Sequence, residues 1–169
     1  YALTAVLTRL DVKMASILRR SSALGLVAHG DLEERFLKTP GDARALIAVA
    51  LAGRAAEIQE YGEASSGISS DLALATNIAA QLVGQLGNGP GLLSLEAAAM
   101  PTAANLVAKV LADDASREAA EGFMTVGADR AAEMVSTHRE ALLEIADGLC
   151  INDELEGQTI KEIVAKYAD

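Results

Sequence analysis

Residues 39–62, TPGDARALIAVALAGRAAEIQEYG, carry the strongest structural signal in the chain. Thr39 offers a hydroxyl that can cap a helix, Pro40 suits the first helical position, and Asp42 places an acid three residues after the cap. The alanine-rich apolar run that follows favours a helix, and Gly62 is well placed to end it. This stretch predicts a long helix and a fold dominated by helices.

Helical patterns continue on both sides of this segment. Apolar residues in 1–10 recur on one helical stripe, and Ser69 or Ser70 can cap a helix that Gly87 closes. After Ser94 we expect further helices at about 94–112, 115–137 and 139–149, and a last one capped by Thr159.

Two short segments near the N-terminus have a different pattern. Residues 12–18 (VKMASIL) and 23–28 (ALGLVA) tolerate β structure, and a polar turn at 19–22 separates them. They predict a small hairpin or two neighbouring strands, whose exposed edge can pair with an extended peptide. The expected fold class is mainly α: a helical bundle with a small β-hairpin or edge-strand element near the N-terminus.

Composition limits the classes of protein and of partner. The chain has 169 residues, of which 51% are apolar, so we expect one domain over 1–169 with a real core. A formal charge of −10 argues against nucleic acid or an anionic membrane as the main partner, because both require a basic face. No apolar run reaches the roughly 18 residues that span a bilayer. Because the chain begins at Tyr1 within a helical pattern, we expect it to be a fragment of a longer protein.

General chemistry alone names no active site. His29 and His138 have no His or Cys three or four residues on, so neither forms half of a helical metal site. We expect His138 on a solvated, charged helix face and His29 at the surface or in a turn. Cys150, the single cysteine, excludes an internal disulfide and is interpreted as a small apolar residue near a helix end. The chain also lacks a phosphate loop and a G-x-S-x-G elbow.

Four segments, in order, resemble the peptidase domain of the FtsH family of ATP-dependent zinc metalloproteases. They are LAGRAAEIQEYGE (51–63), SSGISSDLALAT (65–76), QLVGQLGNGPGLL (81–93) and HREALLEIADGLCINDELEGQTIKEIV (138–164). The hairpin region also looks like the family's. Ala52 stands where the family has the first glycine of its G-G-R element, and Ser70 stands where it has Asn.

The resemblance implies a zinc site with specific ligands. In that family, two histidines of an H-E-x-x-H helix and a later aspartate hold the zinc, and the Glu acts as general base. Asp71 matches the third zinc ligand, and Tyr1 falls at or next to the position of the second histidine. The first histidine and the catalytic Glu would precede Tyr1, so no catalytic residue is expected in this chain. Without the resemblance, Asp71 would be interpreted as an acid that favours a helix N-terminal dipole.

The resemblance also implies a function and its partners. It implies an ATP-dependent zinc metalloendopeptidase that degrades unfolded or membrane proteins, with its own AAA-type ATPase module and a homo-oligomeric, hexameric assembly. Its location would be cytoplasmic, on the cytoplasmic side of a membrane-anchored parent. Arg54 and Glu57 are interpreted as a structural ion pair that supports the site. Two alternatives stay open: a non-catalytic pseudopeptidase domain used for oligomerisation or partner binding, and a helical adaptor without protease ancestry.

Overall fold

A computed structural model describes residues 1–18, 25–31, 39–97 and 105–167. The chain divides into two compact units. One comprises Tyr1–Phe36 with Ala132–Asp169, and the other comprises Leu37–Ala131. The described elements are mostly helices, with a small antiparallel sheet near the N-terminus, so the predicted fold class is confirmed. Within the described ranges, no helix combines the length and the apolar character that a membrane span requires.

The unit formed by Leu37–Ala131 is built from helices that pack through small side chains. Its elements are α2 (Pro40–Tyr61), a 3₁₀ turn (Ser66–Ile68), α3 (Ser69–Gly84), α4 (Leu106–Ala112) and the first part of α5 (Asp114–Thr137). Alanines are buried along α2 and α3, which pack against each other around Ile47 and Leu82. Gly127 of α5 allows a close approach, because a Cβ there would lie 2.4 Å from Cγ2 of Ile47.

The predicted start and end of α2 are confirmed. The Thr39 hydroxyl accepts a hydrogen bond from the Asp42 backbone N–H at 3.2 Å, and the Asp42 carboxylate accepts one from the Thr39 N–H at 2.8 Å. This reciprocal capping box satisfies two backbone donors that a helix start leaves open. At the other end, Gly62 has a φ of +81°, the left-handed conformation that glycine adopts most readily.

The other unit places three helices against a sheet. Its elements are α1 (Ala2–Leu7), β1 (Leu10–Ser16), β2 (Leu26–Asp31), the end of α5, α6 (Arg139–Asn152), β3 (Glu154–Glu156) and α7 (Gly157–Lys166). The strand order is β2-β1-β3, with both pairings antiparallel. The predicted hairpin is therefore confirmed, although residues 19–24 lie outside the described ranges. The third strand was not expected from the sequence.

Several predicted boundaries are wrong for local reasons. α1 stops at Leu7, and Leu10 already belongs to β1. Instead of a helix from 94, residues 95–97 form a turn and α4 begins at Leu106; residues 98–104 lie outside the described ranges. α3 includes Ser69 and Ser70 and ends at Gly84. Thr159 does not cap α7, because the helix already starts at Gly157, directly after β3.

Candidate metal centre

The turn before α3 determines where Asp71 stands. Ser65 caps the 3₁₀ turn by accepting a hydrogen bond from the Gly67 N–H at 3.2 Å, and α3 follows without interruption. Asp71 then lies in the first turn of α3, whose N-cap Ile68 provides no side-chain hydrogen bond. An acid at this position complements the positive end of the helix dipole.

Glu57 of α2 holds this turn in place. Its carboxylate accepts hydrogen bonds from the Ser65 backbone N–H and from the Ser65 hydroxyl, the latter at 3.1 Å. The ion pair expected between Arg54 and Glu57 is not formed among the described residues, because Glu57 engages Ser65 instead and Arg54 is exposed. Glu57 therefore holds the loop that leads to Asp71.

Asp71 packs over Gly53 of α2. A Cβ built on Gly53 would lie 3.9 Å from Oδ2 of Asp71, an ordinary van der Waals distance, so the carboxylate of α3 faces this position of α2. Asp71 is half-buried, and no hydrogen bond to its side chain is found among the described residues. Burial raises the pKa of the Asp71 carboxyl above its usual value, because desolvation disfavours the charged form. A nearby positive charge would offset this cost.

Tyr1 contacts His29, a pairing that the sequence did not predict. The Tyr1 hydroxyl lies 2.9 Å from Nε2 of His29, and the two rings are tilted by 31° with centroids 5.5 Å apart. Tyr1 is the N-cap of α1, whereas His29 lies within β2, opposite Val12 of β1. The expectation that His29 is a surface or turn residue is therefore wrong, because it is a half-buried strand residue with a specific partner.

His138 and Cys150 are the remaining candidate residues. His138 is half-buried rather than solvated, and its Nδ1 is buried without a hydrogen-bond partner among the described residues. Cys150 lies two residues before the end of α6 and is exposed.

The described residues do not by themselves fit a zinc centre. Nowhere in the described ranges do three or more His, Cys, Asp or Glu side chains form a group that could hold a metal ion. Protein zinc sites of the catalytic type need three protein ligands and one open position. Asp71 belongs to one compact unit, and Tyr1 and His29 belong to the other.

Comparison with known proteins identifies the family of the chain. Residues 2–163 match the family model for peptidase family M41. The chain belongs to peptidase family M41. It is 30% identical to an ATP-dependent zinc metalloprotease FtsH of Methylococcus capsulatus over 92% of its length, and 31% identical to FtsH 2 of Sorangium cellulosum over 98%. An FtsH of Chlorobium luteolum is 32% identical over 91% of the chain.

The chain spans only about a quarter of these M41 relatives. It covers 26% of the Methylococcus protein, 30% of the Sorangium protein and 23% of the Chlorobium protein. The family predicted from the sequence is therefore confirmed. The contact between Tyr1 and His29 was not predicted from the sequence, because the two residues are 28 positions apart and no local pattern joins a helix start to a strand.

Proposed function

We propose that this chain is the peptidase-type domain of a larger protein related to ATP-dependent zinc metalloproteases, and that it binds polypeptide and supports assembly rather than hydrolysing peptide bonds. One observation supports the non-catalytic role. At the position that resembles the second zinc histidine, the chain has Tyr1, whose hydroxyl is hydrogen-bonded to His29.

The chemistry of the phenol explains why this substitution matters. A phenol must lose a proton with an ordinary pKa near ~10 to become a good metal ligand, whereas a neutral imidazole binds zinc directly. Zinc-dependent hydrolysis needs a firmly held ion that activates water at its open position. With a hydrogen-bonded phenol in place of an imidazole, zinc would lose one of its three protein ligands.

The edge of the sheet provides a surface for polypeptide. β2 pairs with β1 on one side, and no described strand pairs with its other side. An extended peptide can add to such an edge through backbone hydrogen bonds, with side chains read on alternating faces. Leu26 at the start of β2 is 46% exposed and provides apolar contact there. Delivery of unfolded polypeptide by an AAA-type ATPase module of the same protein, in a homo-oligomer on the cytoplasmic side of a membrane, completes this proposal.

A second candidate function is zinc-dependent endopeptidase activity, and the state of Asp71 favours it. The acid that resembles the third zinc ligand is present, is half-buried over Gly53, and has a raised pKa that a cation would lower. In this case the remaining ligands and the general base come from residues outside this chain.

Zinc content and proteolysis of the full-length protein separate the two functions. The non-catalytic function predicts less than stoichiometric zinc by plasma mass spectrometry and no ATP-dependent degradation of casein. Stoichiometric zinc with casein turnover that Asp71→Asn abolishes would refute it and establish the endopeptidase.

Binding of an unfolded polypeptide tests the edge strand separately. Leu26→Asp should weaken the binding of fluorescein-labelled casein, measured by anisotropy, because it places a charge beside the edge. Leu92→Asp is the matched control, since Leu92 is 91% exposed but lies in the loop after α3. Equal affinities for both variants and the unmodified protein would exclude binding at β2.

A further inference from the structure

Tyr1 and His29 form a polar contact between α1 and β2, two elements that both lie against β1. α1 packs against β1, α6 and α7, whereas β2 pairs with β1. The hydrogen bond between the Tyr1 hydroxyl and Nε2 of His29 connects the start of α1 directly to the edge strand. It does so next to the buried Ala2 and Leu3, so the link sits at the margin of the unit's core.

The geometry makes this hydrogen bond and metal binding mutually exclusive. When His29 is neutral with its proton on Nδ1, the phenol O–H donates to the lone pair on Nε2. A metal ion held by Nε2 needs the same lone pair, and a metal ion held by Tyr1 removes the phenol proton. The pair can therefore serve as a hydrogen-bonded link or as metal ligands, and not as both at once.

We infer that Tyr1, at the position that resembles a zinc histidine, serves as a metal-independent link from α1 to β2 through His29 rather than as a metal ligand. This inference rests on the proposed non-catalytic function. A phenol from the helix start and an imidazole from the strand make this link directly, at 2.9 Å, and each uses in it the atom that would otherwise bind a metal. Half-burial of both rings strengthens the hydrogen bond and penalises its loss.

A double-mutant cycle in the full-length protein measures the link. Tyr1→Phe removes only the hydroxyl, and His29→Phe keeps a ring but removes the acceptor. Each should raise the equilibrium constant for unfolding by about two- to tenfold, as loss of a hydrogen bond of ordinary strength predicts. Since either change alone breaks the pair, the double variant should show about the effect of one single variant rather than their product.

Two further variants separate a specific link from general damage. His29→Gln can place an amide near the position of Nε2, and should recover part of the loss while Tyr1 is present but none in the Tyr1→Phe background. Tyr167→Phe is the matched control, because the Tyr167 hydroxyl donates a hydrogen bond to Glu144 at 2.6 Å, away from His29. The effects of Tyr167→Phe and His29→Phe on the equilibrium constant for unfolding should therefore multiply.

Metal dependence completes the test. The unfolding midpoint of the unmodified protein should not change on adding EDTA or zinc chloride. Independent effects of Tyr1→Phe and His29→Phe would overturn the inference, even in a protein without protease activity. A midpoint that zinc raises, with the rise abolished by His29→Phe, would overturn it too and identify His29 as a metal ligand. Zinc-dependent casein cleavage would refute the proposed function, whatever the cycle shows.

Discussion

Replacing Gly157 by alanine tests the closest backbone contact in the unit that carries Tyr1 and His29. Gly157 is buried at the first position of α7, directly after β3. A Cβ built there would lie 1.8 Å from the carbonyl oxygen of Val12 and 2.6 Å from its carbonyl carbon. Both atoms belong to the backbone of β1, so no side-chain rotation relieves the clash. The start of α7 must retreat from the strand by more than an ångström.

The loss of stability follows from the contacts of α7 that this displacement would disrupt. Ile160 and Val164 of α7 are buried to 0% and 4% exposure, and β3 pairs with β1 just before the helix. Overpacking a core costs typically 1–3 kcal/mol when side chains can adjust, and here the obstacle is backbone. We therefore expect Gly157→Ala to lower the free energy of unfolding by about 3 kcal/mol or more, which lowers the melting temperature by roughly 10 °C.

Urea unfolding followed by circular dichroism measures this loss, with Gly122→Ala as the control. Gly122 lies exposed in α5, and a Cβ there meets nothing within 4 Å. An alanine at that position should stabilise the protein by about 0.5–1 kcal/mol, since glycine is a poor residue inside a helix. If Gly157→Ala cost less than about 1 kcal/mol, the close packing of α7 on β1 inferred from this contact would be wrong.

Two other predictions concern the supports of each unit. Glu57→Ala should release the turn at Ser65 and lower the free energy of unfolding by about 1–2 kcal/mol. Amide hydrogen exchange at Ser65 and Gly67 should become faster. Unchanged exchange would show that other contacts hold the turn. Lys13 and Lys161 lower the pKa of Asp11 to about 2, so its contribution to stability is present above the ordinary pKa of 3.8 and is lost as pH falls toward 2. The difference in urea midpoint between Asp11→Asn and the unmodified protein should therefore be constant near neutral pH and vanish near pH 2, and a constant difference down to that pH would contradict this assignment.

Elements whose signals lie within a few neighbouring residues could be predicted from the sequence. The capping box at Thr39 and the left-handed Gly62 fix the ends of α2, because each acts within one turn of the helix. The β1–β2 hairpin also follows from local pattern. In contrast, β3 has only three residues, and its pairing with β1 joins positions about 140 residues apart, which no local pattern can encode.

The candidate site shows the same limit. Asp71 was identified by resemblance, but its support by Glu57 was assigned to the wrong mechanism. The sequence places Arg54 and Glu57 one helical turn apart, which favours an ion pair, whereas the backbone N–H of Ser65 offers the carboxylate a bond that fixes a loop. The contact of His29 with Tyr1 was not predicted, since it depends on where β2 meets the start of α1.

The burial of Asp71 has an energetic consequence. An acid in the first turn gains about 0.3–1 kcal/mol from the helix dipole in water. Burial raises the pKa of Asp71, so the charged carboxylate is disfavoured relative to a solvated one. At Tyr1, the phenol and His29 satisfy each other without any ion. Asp71 and the Tyr1–His29 pair thus differ in kind: a cation would offset the burial of the Asp71 charge, whereas the phenol and the imidazole bond each other without an ion.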